Sequence, residues 1–340
     1  MQVLKYLEPQ HIEIVEIPRP QIADGEVLVQ TRACGICATD VKTFMRGHPL
    51  IRPGTVLGHE LAGVIVESRA SEWRVGERVA VAPYVPCGEC EFCRRRQFTL
   101  CQDLWNASIE PGGFSEFVRV PRRLVQMGMV RIPPTLDLTT ATLAEPLACC
   151  YHGLDALQIA RGNSLLILGD GPMGLMQASI ARALGASPIV LGGITPERLA
   201  IGARYADCVV NVSTESLPDA IKRVSAGAGM DKVIVSVGLP QVAEQALAFV
   251  KRGGAINLFA GLPRGSQITL DPNHIHYDEI TLLGTFGFAP EHFVRAVDAL
   301  VRGDLDVRAL ITRTVTLAET ANAFADSAAY RGIKTVVQFE

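Results

Sequence analysis

The chain has 340 residues, 48% hydrophobic and 20% charged, which bounds it to about two domains with ample core and excludes a disordered chain. Its net charge of −3 gives no electrostatic ground for a nucleic-acid partner or for an anionic membrane surface. Nine cysteines, with no long apolar block in the first 20 residues, fit a reducing compartment where thiols bind metal rather than pair, so a cytoplasmic protein without a spanning helix is expected.

In chain order, the first 150 residues read as β-rich. Short apolar runs at 26–33, 61–67 and 78–82 are bounded by Gly, Pro and charged turns. Two polar motifs interrupt them: Gly35-Ile36-Cys37-Ala38-Thr39-Asp40 and Gly58-His59-Glu60. Cys37, His59 and Glu60 are residue types that ligate zinc, as is Glu145 in the later segment Glu145-Pro146-Leu147-Ala148. The three segments are far apart, and spacing alone does not bring them together.

Between them lie Cys87, Cys90, Cys93 and Cys101, spaced C-x2-C-x2-C-x7-C in a turn-prone stretch opened by Pro86 and Gly88. Four soft thiolates this close in sequence fold around one tetrahedral zinc with no position left open. A closed site of that kind holds structure and does no chemistry. The neighbouring run Arg94-Arg95-Arg96 reads as a solvated edge of the same lobe. Cys34, Cys149, Cys150 and Cys208 read as small apolar fillers.

After Tyr151 the pattern changes. Near-continuous apolar strands at 164–168, 188–191, 208–211, 233–237 and 255–259 alternate with helical stretches, which predicts a parallel sheet buried on both faces. Gly169-Asp170-Gly171-Pro172-Met173-Gly174 follows the first of these strands and opens the helical stretch 175–184. In that context GxGxxG marks a dinucleotide site. Gly169 makes the tight turn, Gly171 admits the pyrophosphate, and Gly174 lets helix and strand pack.

The second strand of such a fold ordinarily ends in an acid that binds the adenosine ribose. Here it runs into Gly192-Gly193-Ile194-Thr195 instead, with Thr195 read as N-cap and Pro196 as the first helical residue. Without that acid, a 2′-phosphate meets less repulsion, and Arg198 or Arg204 could face it. The sequence therefore leans to NADP and keeps NAD open. Beyond residue 285, a helix is expected at 291–302 and a closing strand at 334–339.

Taken in order, the GIC-x-TD and GHE motifs, the cysteine lobe, the EPLA segment and the dinucleotide motif resemble the zinc-dependent medium-chain alcohol dehydrogenases. The polyol (sorbitol) and threonine dehydrogenase branch is the most similar. The resemblance covers nearly the whole chain. It implies an α/β protein with a GroES-like β-rich catalytic domain at 1–150 and 286–340, bearing the zinc lobe at 86–102, and a doubly wound Rossmann domain at 151–285.

The resemblance further implies one structural and one catalytic zinc. Cys37, His59 and Glu145 match the catalytic ligands, and Glu60 is either a ligand or a group that swings in when a ligand leaves. Thr39 matches the hydroxyl that passes the substrate proton, and Asp40 the residue that holds the Cys37 loop. Phe259-Ala260-Gly261 and Thr285-Phe286 are expected beside the nicotinamide.

Two positions depart from the family pattern. Lys42 stands where many relatives have a relay histidine, which turns attention to His48, and Arg96 stands where a glycine is common. The expected activity is hydride transfer between a secondary alcohol of a polyol or sugar-like molecule and NAD(P), in a homodimer or homotetramer. A threonine-type dehydrogenase and a non-catalytic dinucleotide-binding relative are the alternatives. Asn273, His274 and His276 are read as a polar segment near the site or as a solvated loop.

Overall fold

In the computed structural model, which describes residues 1–49 and 51–340, the short strands of the first 150 residues pair antiparallel. β1 (Gln2–Glu8) and β2 (His11–Glu16) form a hairpin. β3 (Val27–Gly35) lies between β4 (Glu60–Ser68) and β6 (Phe117–Val120), and β4 carries β5 (Arg78–Val81), then β7 (Met129–Arg131). Helix α1 (Ala38–Arg46) follows β3, and α2 (Ala144–Ala156) closes this half of the chain.

The next six strands build a wholly parallel sheet. They are β8 (Leu165–Leu168), β9 (Ile189–Gly193), β10 (Cys208–Asn211), β11 (Met230–Val235), β12 (Val250–Leu258) and β13 (Thr281–Gly284). Their order is β10-β9-β8-β11-β12-β13. All four residues of β8 are buried, as a strand covered by helices on both faces requires. This is the doubly wound order 3-2-1-4-5-6, whose switch point lies between β8 and β11. Helix α3 (Pro172–Ala183) follows β8 and α4 (Pro196–Gly202) follows β9.

The chain then adds α5 (Pro290–Arg302), β14 (Ile311–Val315), α6 (Thr320–Ala328) and β15 (Lys334–Gln338). β15 pairs antiparallel with β3 and parallel with β14, which completes a sheet of order β14-β15-β3-β4-β5-β7.

The fold is thus α/β with two compact units. One comprises Met1–Ala148, Phe288–Asp304 and Arg308–Glu340; the other comprises Cys149–Gly287 and Leu305–Val307. The short segment Leu305–Val307 joins the second unit through Asp306, whose carboxylate pairs with Arg204 and whose carbonyl accepts the Tyr205 hydroxyl.

Each unit has its own core. In the first, the ring of Phe324 on α6 lies 5.4 Å from Phe44 on α1 and 6.1 Å from Phe114. In the second, Leu166, Val190, Val210, Val233 and Ile256 from five adjacent strands pack together fully buried or nearly so. Among the described residues, no helix is long and apolar enough to cross a membrane.

Candidate metal centres and dinucleotide site

Cys37 stands at the junction of β3 and α1. Its backbone N–H donates to Asp40 Oδ2 at 3.0 Å, and its sulfur accepts from the Thr39 N–H at 3.5 Å, a capping box that fixes the thiol at the helix start. Asp40 is buried, and its other oxygen accepts from Gly58 N–H at 3.3 Å and lies 3.6 Å from His59 Nδ1. One carboxylate therefore ties the Cys37 loop to the His59 loop.

Glu60 opens β4 and is opposite Gly35 of β3. A Cβ on Gly35 would come within 2.0 Å of the Glu60 carboxylate, so glycine makes room for it. On the other side of β3, Val336 of β15 is also opposite Gly35, which places Lys334 near the same spot. The Lys334 ammonium donates to Glu60 Oε1 at 2.5 Å and to the Ile36 carbonyl at 2.9 Å. Glu60 and Lys334 are both almost wholly buried.

The donor atoms of Cys37, His59 and Glu60 all lie within 4.8 Å of one another. One sulfur, one ring nitrogen and one carboxylate oxygen suit zinc, and three donors leave a position open. Glu60 Oε2 accepts no directed hydrogen bond, although the Lys334 ammonium lies against it. Burial disfavours a charged His59, but Asp40 and Cys37 outweigh it and raise its pKa well above the ordinary value. Burial likewise opposes the Lys334 charge, and Glu60, Cys37 and Glu145 overcome it and raise its pKa. Glu145, buried in the first turn of α2, thus acts on the same cluster but is not one of the three gathered donors. Thr39 sits in the first turn of α1, half-buried beside Cys37. His48 has its pKa lowered by burial and by Lys42.

In the cysteine lobe, Cys87, Cys90, Cys93 and Cys101 have their sulfurs within 4.8 Å of one another, and none forms a disulfide. Four sulfurs each 2.3 Å from one centre would stand about 3.8 Å apart. Cys87 and Cys93 are separated by 3.8 Å, and Cys90 and Cys93 by 3.5 Å. Backbone N–H groups of Cys87, Glu89, Cys90 and Asp103 donate to these sulfurs. At Cys90 the backbone N–H groups of Cys93 and Gln102 hold the thiol down to about 6, while burial pushes Cys93 up to about 12. Gly88 takes φ +83°, and Arg96 takes φ +61°. The glycine-like turn at Arg96 is therefore retained, at a cost of about 1 kcal/mol, with its guanidinium paired to Glu291 at 2.7 Å.

The glycine loop after β8 behaves as its motif requires. Gly169 has φ +126°, Gly171 caps α3 with open space at its Cβ position, and a Cβ on Gly174 would strike the Gly169 carbonyl at 1.9 Å. The helix starts at Pro172, so Met173 and Gly174 lie in its first turn, three residues before the expected start. Phe259, Ala260 and Gly261 follow β12, and Thr285 and Phe286 follow β13, at the carboxyl edge where dinucleotides bind such sheets. Thr285 Oγ1 accepts from Asn257 Nδ2 at 3.0 Å, and Phe286 is exposed.

Beyond β9 the structure refines the reading. Thr195 is at the N-cap position of α4, but its side chain makes no capping bond. Arg198 is buried on α4 rather than solvated, and Arg204 is paired to Asp306. Asn273, His274 and His276 sit on the short helix Pro272–Tyr277, with His274 Nε2 3.2 Å from Asp278.

Residues 23–133 match the family model of the alcohol dehydrogenase GroES-like domain, and 172–302 that of the zinc-binding dehydrogenases. The sorbitol dehydrogenase of Bacillus subtilis is 31% identical over 92% of this chain and 90% of its own length. The chain belongs to the zinc-dependent medium-chain alcohol dehydrogenases. An L-threonine 3-dehydrogenase of Chelativorans sp. is 29% identical over 96% of the chain and 95% of its own length. A zinc-binding dehydrogenase from Sinorhizobium meliloti, solved bound to NADP, superposes with a TM-score of 0.90 at 29% identity over 99% of each chain. This dehydrogenase is accordingly a zinc-dependent oxidoreductase that moves hydride between an alcohol and a nicotinamide dinucleotide.

Two features of the site escaped the sequence. Lys334 reads locally as the start of a strand, and only the register of β15 on β3 sets it against Glu60. Asp170 reads as a variable position of the glycine motif. The signal was present, however, in an acid beside Gly169 together with a glycine where an acid was expected.

Proposed function

We propose that this dehydrogenase oxidises a secondary alcohol of a polyol or sugar-like substrate, and reduces the matching ketone, with NAD(P) as hydride partner. The gathering of Cys37, His59 and Glu60 within 4.8 Å is the observation that carries the reading. Cys37 and His59 would hold the catalytic zinc, with Glu60 or Glu145 as the third donor. Cys87, Cys90, Cys93 and Cys101 would hold the structural one. Zinc, when bound, supplies Lewis acidity, which favours the ionised form of an alcohol.

The chain's own residues do the rest. Asp40 orients His59 and anchors the Cys37 loop. Lys334 balances the buried charge of Glu60. The Thr39 hydroxyl accepts the substrate proton and hands it on to water or to His48, whose lowered pKa keeps it able to take a proton at neutral pH. A nicotinamide, when bound, would supply the hydride acceptor for the carbinol carbon. The residues after β12 and β13 would line the nicotinamide end, and the loop after β8 would hold the pyrophosphate.

The polyol assignment draws on the sorbitol dehydrogenase relative, and the threonine dehydrogenase relative keeps the amino-alcohol alternative in the same screen. The family and the small alcohol substrate favour a cytoplasmic homodimer or homotetramer. The test is cofactor reduction with polyols, sugars, simple alcohols and threonine, with zinc measured on the same samples. Polyol-dependent turnover is expected. Cys37→Ser and His59→Ala should lose nearly all activity while the fold survives. Retention of more than about a tenth of the activity in either variant would count against these catalytic assignments.

A further inference from the structure

Asp170 lies between the first two glycines of the loop after β8, yet its carboxylate is on the loop after β9. Its Oδ2 accepts from the backbone N–H of Ile194 at 3.0 Å and of Thr195 at 2.7 Å. Asp170 is 7% exposed. A Cβ placed on Gly193 would come within 2.4 Å of both Cβ and Cγ of Asp170. The Asp170 side chain therefore fills the space that a side chain at the end of β9 would enter. That strand end is where doubly wound folds ordinarily carry the acid that binds the adenosine 2′-hydroxyl. Glycine at 193 and aspartate at 170 are complementary: the acid of the first loop occupies the space that the glycine leaves at the strand end.

We infer that Asp170 is the specificity-determining residue of the adenosine-ribose subsite and selects NAD over NADP. The inference rests on the dinucleotide reading of this unit and deepens it. Three consequences of the geometry point the same way. Both backbone bonds use Oδ2, so Oδ1 is available to accept from a ribose hydroxyl. The N–H groups of Ile194 and Thr195, which could otherwise donate to a 2′-phosphate, are already engaged by an anion. Arg204, just beyond α4, is paired to Asp306, and Arg198 on α4 is buried. The strand end alone leans to NADP; the charge supplied from the first loop favours NAD instead under this inference.

The test is equilibrium binding of NAD and NADP to the purified protein without alcohol, by calorimetry, alongside its melting temperature. Wild type should bind NAD at least about tenfold more tightly than NADP, a difference of 1.4 kcal/mol. Asp170→Asn keeps the shape and removes the charge. It should cut that preference by about tenfold or more, mainly through tighter NADP binding. If Asp170→Asn does not fold, the exchange variant Asp170→Gly/Gly193→Asp decides, since returning the acid to the strand end should restore the wild-type preference. Preference of the wild type for NADP would overturn the inference. So would an unchanged ratio in Asp170→Asn, or a parallel loss of both affinities, which would make Asp170 only a brace for the loop. Failure to bind either dinucleotide would overturn the reading of the whole unit, a result distinct from a reversed preference.

Discussion

At the scale of single residues, the pair Lys334–Glu60 is the most exacting feature of the first unit. Two full charges are buried together, and neither has water to fall back on. Such a pair adds little over a well-packed apolar substitute, but breaking it by removing one partner strands the other charge. Lys334→Met should therefore cost about 3–5 kcal/mol, and Lys334→Met/Glu60→Gln much less. A double-mutant cycle by denaturant unfolding checks this, and additive losses would show that the two charges do not depend on each other. The pH dependence has a definite sign. The folded pKa of Lys334 lies above the ordinary 10.5. Its contribution is thus fully present below that value and fades only as pH rises through the higher folded pKa. The gap between wild type and Lys334→Met should stay constant from neutral pH to about 10 and close only above it.

At the scale of elements, the cysteine lobe has few apolar side chains of its own. Phe92, Phe98 and Leu100 are all at least partly exposed, so thiolate chemistry rather than a core must hold the loop. Cys93 is the most buried of the four thiols and contacts two of the other three sulfurs. Cys93→Ser should lower zinc content by one ion per chain and lower the melting temperature more than it lowers the chemistry; full zinc content with unchanged melting would refute the structural role. A strong chelator should reproduce the thermal loss in wild type. The sequence made the buried elements legible because apolar runs and glycine motifs are local signals. β10 at Cys208–Asn211 and α5 at Pro290–Arg302 lie where their patterns put them. β13 was not legible, because three of its four residues are exposed and only pairing with β12 makes it a strand. The thiol, imidazole and acids of the site were legible as residue types. Their meeting depends on strand register across β15, β3 and β4, which no local spacing encodes.

At the scale of the whole molecule, the two units carry separate acid-sensitive anchors. In the first, Glu26 is gripped by the Arg119 guanidinium, with bonds of 2.5 and 2.7 Å, and Arg119 also pairs with Glu110 at 2.5 Å. The Arg119 bonds outweigh burial and hold the Glu26 carboxyl below its ordinary 4.5. In the second, burial raises and Lys251 and Ser164 lower the pKa of Asp231, with a net shift below its ordinary 3.8. Asp231 accepts from Ser164 N–H at 2.8 Å and from its hydroxyl at 2.7 Å, which ties β11 to the start of β8. A carboxylate with a depressed folded pKa stabilises fully above its unfolded value and loses that contribution as pH falls through the folded one. The first unit should therefore weaken below about pH 4.5 and the second only below about pH 3.8, each through its own anchor. Glu26→Gln should destabilise the first unit by about 2 kcal/mol at neutral pH and flatten its acid limb, while leaving that of the second unchanged. Asp231→Asn should do the reverse. Hydrogen exchange resolved by segment from pH 7 to 3 separates the two units. If either substitution shifted both to the same extent, the anchors would not be independent, and the acid response would belong to the chain as one cooperative body.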